Sequence, residues 1–78
     1  MILTKHAIER FKERIHNSSY DDIYKFITED IKKCELLYSI NGIEKWRNNQ
    51  ITYVVAKKKK RMKIITIYSY QGKEKGRL

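Results

Sequence analysis

The sequence predicts an α+β domain in which two amino-terminal helices precede a four-stranded antiparallel meander. Three observations carry that prediction. Apolar residues recur three or four apart as far as Cys34, the period of a helix with one buried stripe. From Leu36 onward the period changes to alternation, in segments rich in β-branched and aromatic residues. Turn-forming residues then divide this second half into four strands, beginning at Asn41-Gly42, the strongest hairpin signal in the chain. No proline interrupts any of them.

Taken in order, Thr4 suits the N-cap of a first helix over Lys5–Ile15, with Ala7, Ile8, Phe11 and Ile15 turned inward. His16-Asn17-Ser18 breaks it. Ser19, with Asp22 three residues on, resembles a capping box, and Asp21 and Asp22 suit the positive end of the next helix dipole. The second helix carries Ile23, Phe26, Ile27, Ile31 and Cys34 on one stripe, with Lys32 and Lys33 favouring its carboxyl end. Four strands follow, over Leu36–Ile40, Ile43–Arg47, Gln50–Ala56 and Met62–Tyr70, with the lysine run between the last two as a hairpin tip. Strict alternation on the last strand places Ile65 and Ile67 on one face and Ile64, Thr66, Tyr68 and Tyr70 on the other. The expected core is Ile8, Phe11, Ile15, Ile27, Ile31, Val54, Ile65 and Ile67; the alternation leaves Tyr53 open between core and surface. At least one helix covers one sheet face, which leaves the other face open. Residues 1–70 form a single domain, and residues 71–78, with Gly72 and Gly76, form a flexible basic tail.

Seventy-eight residues suffice for one modest core and no second domain. Lone Cys34 excludes an internal disulfide, and with two histidines it cannot close a tetrahedral zinc site, so neither a metal nor another cofactor is expected. Lys5, His6 and Glu9 interrupt any leader-like apolar run, and nothing approaches transmembrane length, so the expected location is the cytoplasm, away from membranes. The charge is placed unevenly. Residues 1–56 hold nine Lys/Arg against eight Asp/Glu, whereas residues 57–78 hold nine Lys/Arg against Glu74 alone, a net of +8. Lys57, Lys58, Lys59, Lys60, Arg61 and Lys63 therefore form a candidate nucleic-acid-binding block, in which each phosphate neutralised adds about one unit to the salt dependence. The competing account is a solubilising hairpin tip that binds nothing specific.

His6, Arg10 and Arg14 recur every fourth residue on the first helix. At about 100° per residue they fall near 0°, 40° and 80°, while Ala7, Phe11, Ile15 and Ile8 follow from roughly 100° to 200°. The stripe lines the shoulder of the buried face, and Glu9, Lys12 and Glu13 take the outer side. An imidazole that titrates near neutrality, beside two guanidiniums whose forks match phosphate oxygens, is the set that metal-free phosphodiester cleavage needs. The plainer account is that Arg10 and Arg14 pair with Glu9, Glu13 or Asp30 while His6 caps the first turn. Tyr68, likewise, either donates a proton to a phosphate or leaving oxygen or simply packs with its hydroxyl wet.

The segments His6-Ala7-Ile8-Glu9-Arg10-Phe11-Lys12-Glu13-Arg14 and Ile65-Thr66-Ile67-Tyr68, as HAxxRxxxR and ITxY, resemble a small family of phage- and plasmid-borne proteins akin to RelE-type toxins. That wider class joins barnase-like, colicin-like and RelE-like ribonucleases, in which helices precede a four-stranded antiparallel sheet. The resemblance implies a RelE-like fold and metal-independent RNA cleavage through the 2′-hydroxyl, with His6, Arg10, Arg14, Thr66 and Tyr68 as catalytic candidates. Residues 41–50 offer no further match. Two functions are thus in view. One is a ribonuclease-like toxin or phage effector, with RNA as substrate and an antitoxin as a partner. The other is a non-catalytic mobile-element protein that binds nucleic acid or inhibits a host nucleic-acid-handling protein. Both use the basic block, and only the first needs His6.

Overall fold

The computed structural model describes residues 1–69. In chain order the elements are β1 (Ile2–Leu3), α1 (Lys5–Arg14), α2 (Tyr20–Ile31), β2 (Glu35–Ile40), β3 (Ile43–Asn48), β4 (Ile51–Lys58) and β5 (Arg61–Ser69). The α+β class and the order of helices before the main strands follow the sequence. The sheet differs: it has five strands in the order β1-β5-β4-β3-β2, and β1 pairs with β5 in parallel. A two-residue strand is too short to leave any periodicity, and its pairing partner lies at the far end of the chain. Tyr70 and the expected tail at 71–78 lie outside the described residues.

Both helix starts rest on the anticipated caps. Thr4 Oγ1 accepts from the Ala7 N–H at 3.1 Å, and Ser19 Oγ accepts from the Asp22 N–H at 3.3 Å. The helices end at Arg14 and Ile31, short of the expected Ile15 and Cys34, and a turn at Lys32-Lys33 leads into β2. Asn41 and Gly42 both take positive φ (52° and 80°), the geometry that matches a two-residue loop to strand twist.

The core lies between the two helices and one face of the sheet. Leu3, Ala7, Phe11, Ile23, Ile27, Tyr53, Val55, Ile64 and Ile67 form it, and Ile8, Ile15, Ile31 and Trp46 pack at its margin. Two expected core residues are displaced. Val55 pairs with Ile64 but Val54 pairs with Thr66, so Ile65 is an extra residue on β5, a β-bulge. The bulge reverses the facing of everything before it. Ile64 and Ile67, three apart, both point inward, and Ile65 leaves the core. Val54 points to the opposite face because Tyr53 and Val55 claim the inner one.

Thr4 explains where the bulge sits. Its hydroxyl lies 2.9 Å from the Ile64 carbonyl and 3.1 Å from that of Ile65, and its backbone N–H donates to Ile64 O. The chain leaves β1 for α1 at this point, and the bulge turns two carbonyls toward it. A second bulge on β2, at Leu37, bends that edge strand.

Below the core, Asp30 near the end of α2 ties the helix to the sheet. Tyr53 O–H donates to its Oδ2 at 2.6 Å and Asn48 Nδ2 donates to Oδ1 at 2.5 Å. Among the described residues, no helix is long and apolar enough to cross a membrane.

Candidate nucleic-acid interface

Strand register assigns each side chain to a face. Tyr53, Val55, Ile64 and Ile67 point toward the helices, so their neighbours Thr52, Val54, Ala56, Thr66 and Tyr68 point away. Lys45 and Arg47, paired with Val54 and Thr52, join them from β3, and Tyr38, paired with Lys45, joins from β2. Neither helix covers this second face. Five of its large apolar side chains are exposed: Ile2, Tyr38, Ile40, Ile43 and Tyr68.

Arg14 alone of the helical stripe reaches it. From the last turn of α1 its Nη1 donates to the Ile67 carbonyl at 2.9 Å, on the stretch of β5 that β1 leaves unpaired. Its guanidinium carbon stands 5.5 Å from the centre of the Tyr68 ring. That one bond engages one of five N–H donors. On the other side, Lys45 Nζ lies 5.9 Å from the Tyr68 ring centre and 5.5 Å from that of Tyr38. Tyr38, Lys45, Tyr68 and Arg14 thus alternate ring and cation across the sheet, with Thr66 beside them.

The rest of the stripe does other things. Arg10 pairs with Glu13 at 2.8 Å, as the plainer account expected, in an exposed i,i+3 pair of small energetic value. His6 is exposed in the first turn of α1, and it is Thr4 that caps the helix. At about 1.5 Å rise per residue, His6 stands roughly 12 Å along the axis from Arg14. Of the five catalytic candidates, then, Arg14, Thr66 and Tyr68 come together at the β5 edge, and His6 and Arg10 lie along the helix away from it.

The basic hairpin is continuous with the same face. Lys58, Arg61 and Lys63 have the facing of Ala56, whereas Lys57 and Met62 face the helix side. Lys59 occupies a left-handed turn position (φ 53°), where the other two tight turns place Asn41 and Asn49 (φ 52° and 57°). A lysine there is strained relative to asparagine or glycine, so the turn itself gives no reason for its presence, and its charge does. Lys58, Arg61 and Lys63 border a depression of about 430 Å³ whose lining includes Ile2, Ile43 and Ala56.

Sequence reasoning missed Tyr38, Lys45, Arg47 and Thr52. A signal for two of them was present. A two-residue loop at Asn41-Gly42 fixes the pairs Ile40–Ile43, Ser39–Glu44 and Tyr38–Lys45 by counting back from the turn.

Half-buried against the core, Cys34 has its thiol pushed up to about 11, first by desolvation and then by the Asp30 charge. It is a protonated packing group at neutral pH, unsuited to nucleophilic work. Among the described residues, no three of His, Cys, Asp or Glu lie together in a way that would hold a metal ion.

No protein-family model, curated protein or solved structure matches this chain.

Proposed function

We propose that this protein binds RNA, with the uncovered sheet face and the basic hairpin as one continuous interface. One observation carries the reading: Lys58, Arg61 and Lys63 of the hairpin share a face with Lys45 and Arg47, and Arg14 extends it at the β5 edge. Among the described residues, Glu35, opposite Arg47, is the single carboxylate whose strand register places it there. Such a surface attracts a polyphosphate by counterion release, and affinity falls steeply with salt. The test is binding of a fluorescent RNA oligomer across a salt series, with Lys58, Arg61 and Lys63 replaced together by Ser. Weaker binding with a shallower salt slope is expected, and an unchanged slope refutes the reading.

A second reading, ribonuclease-like cleavage on a RelE-like scaffold, is favoured by the Arg14–Tyr68 contact. The Arg14 guanidinium carbon and the Lys45 ammonium stand 5.5 and 5.9 Å from the centre of the Tyr68 ring. Two cations there would stabilise the extra negative charge on phosphorus as a 2′-hydroxyl attacks. The 2′-proton passes to a base, and the departing 5′-oxygen takes a proton, leaving a 2′,3′-cyclic phosphate and a 5′-hydroxyl. Tyr68 is the proton donor closest to that edge, and His6 serves as base only for a strand that also runs along α1. Metal-free incubation with RNA over a range of pH tests this. Cleavage that Tyr68→Phe and His6→Ala each reduce about 10²–10⁴-fold, with binding retained, is the expected result. Intact RNA at every pH removes cleavage and leaves binding alone. The partner on that account is RNA itself; an antitoxin or a host nucleic-acid-handling protein would compete for the same cationic face.

A further inference from the structure

We infer that the uncovered face reads unpaired RNA bases, with Tyr38 and Tyr68 as stacking platforms and Lys45 as the phosphate contact between them; this rests on the RNA-binding reading above. Electrostatics alone attracts single and double strands alike, so the discriminating feature has to be apolar and planar. Two tyrosines supply it. Tyr38 is 44% exposed and Tyr68 39% exposed, so both rings are accessible on this face. Their centres lie 5.5 and 5.9 Å from one ammonium nitrogen, hence no more than about 11 Å apart. Bases stacked in a duplex are about 3.4 Å apart along a strand and hidden between neighbours. With β3 and β4 between their strands, Tyr38 on β2 and Tyr68 on β5 are set wider apart than stacked bases, which suits bases splayed from an extended strand.

The exchange on binding is chemically balanced. In the free protein the cations of Lys45 and Arg14 rest against the rings; a strand draws them onto its phosphates and lays its bases on the rings in their place. The strand continues past Val54 and Ala56 toward the depression bordered by Ile2, Ile43, Lys58, Arg61 and Lys63, an apolar floor with a cationic rim that takes a further base.

The experiment compares a single-stranded RNA oligomer with the hairpin-free duplex of the same length, by fluorescence anisotropy at fixed salt. Wild-type protein is expected to favour the single strand. Tyr38→Ala and Tyr68→Ala are each expected to weaken single-strand binding roughly 5- to 150-fold and duplex binding little. Tyr38→Phe, which keeps the ring, is expected to restore affinity, a rescue that a lost fold would not show. Equal affinity for the two RNAs, or Tyr38→Ala with full single-strand affinity, overturns the stacking site and leaves the electrostatic interface standing. No binding to either RNA overturns both.

Discussion

Removing the Tyr53 hydroxyl tests how α2 is held to the sheet. Tyr53 is fully buried, so Tyr53→Phe keeps the ring and its packing and deletes one hydrogen bond, the 2.6 Å contact to Asp30 Oδ2. A hydrogen bond to a charged acceptor contributes about 1.5–3 kcal/mol. Asp30 is half-buried, so water recovers part of the loss, and about 1.5 kcal/mol is the expected cost. In a domain of this size each kcal/mol moves Tm by about 4–8 °C, so a fall of roughly 6–12 °C is expected by circular dichroism. The cost is not trivial because a carboxylate near the negative end of a helix dipole needs donors to hold it there. Asp30→Ala removes both donors' acceptor and should cost more. In that background Tyr53→Phe should add almost nothing, since the partner is already gone. Asp30→Asn should be mild: its oxygen still accepts from Asn48, and its amide donates to a Tyr53 hydroxyl turned around. A Tyr53→Phe melt within 2 °C of wild type, or equal costs for the tyrosine change in both backgrounds, refutes the tie.

Phe11→Ala should cost about 3–5 kcal/mol, because Phe11 is 2% exposed and meets Phe26 edge-on at 5.2 Å; urea titration reads it directly. Lys59→Asn relieves a left-handed lysine and should raise Tm slightly while lowering RNA affinity at low salt, and a rise in affinity would contradict the role given to that charge. Cys34, with its thiol raised to about 11, should resist iodoacetamide at pH 8 in the folded protein and react readily in denaturant. Folding also holds the Cys34 and Tyr53 protons more tightly than the unfolded chain does, Tyr53 chiefly through burial. Stability is therefore unaffected at neutral pH and declines as pH rises from about 9 through 11, a decline that Cys34→Ala should make shallower.

What the sequence carried and what it withheld divide along the range of the interactions involved. The caps at Thr4 and Ser19, both helix stripes and the Asn41-Gly42 turn are local, and each was legible from a window of a few residues. Strand β1 is set by a partner some sixty residues away, and the bulge at Ile65 is set by the same meeting, since Thr4 takes the carbonyls that the bulge presents. Period-2 reasoning on MKIITIYS had no means of placing that extra residue. The consequence passed straight to the core, where Ile64 replaces Ile65. At the candidate interface the helical stripe was half informative. The shoulder angle of Arg14 was right, and what it touches depends on how α1 lies along β5. Lys45 and Tyr38 gain meaning only across strands, although the turn already fixed their pairing.

The placement of β5 also sets an order of events during synthesis. Helix α1 leaves the ribosome well before β5, yet Leu3, Ala7 and Phe11 have no Ile64 or Ile67 to bury against until β5 has emerged. Thr4 lacks its long-range carbonyls until then, and Arg14 lacks both Ile67 and Tyr68. A nascent chain that stops short of β5 therefore carries the lysines of β4 but no assembled ring-and-cation row. On the RNA-binding proposal, the interface is completed only once β5 has been translated.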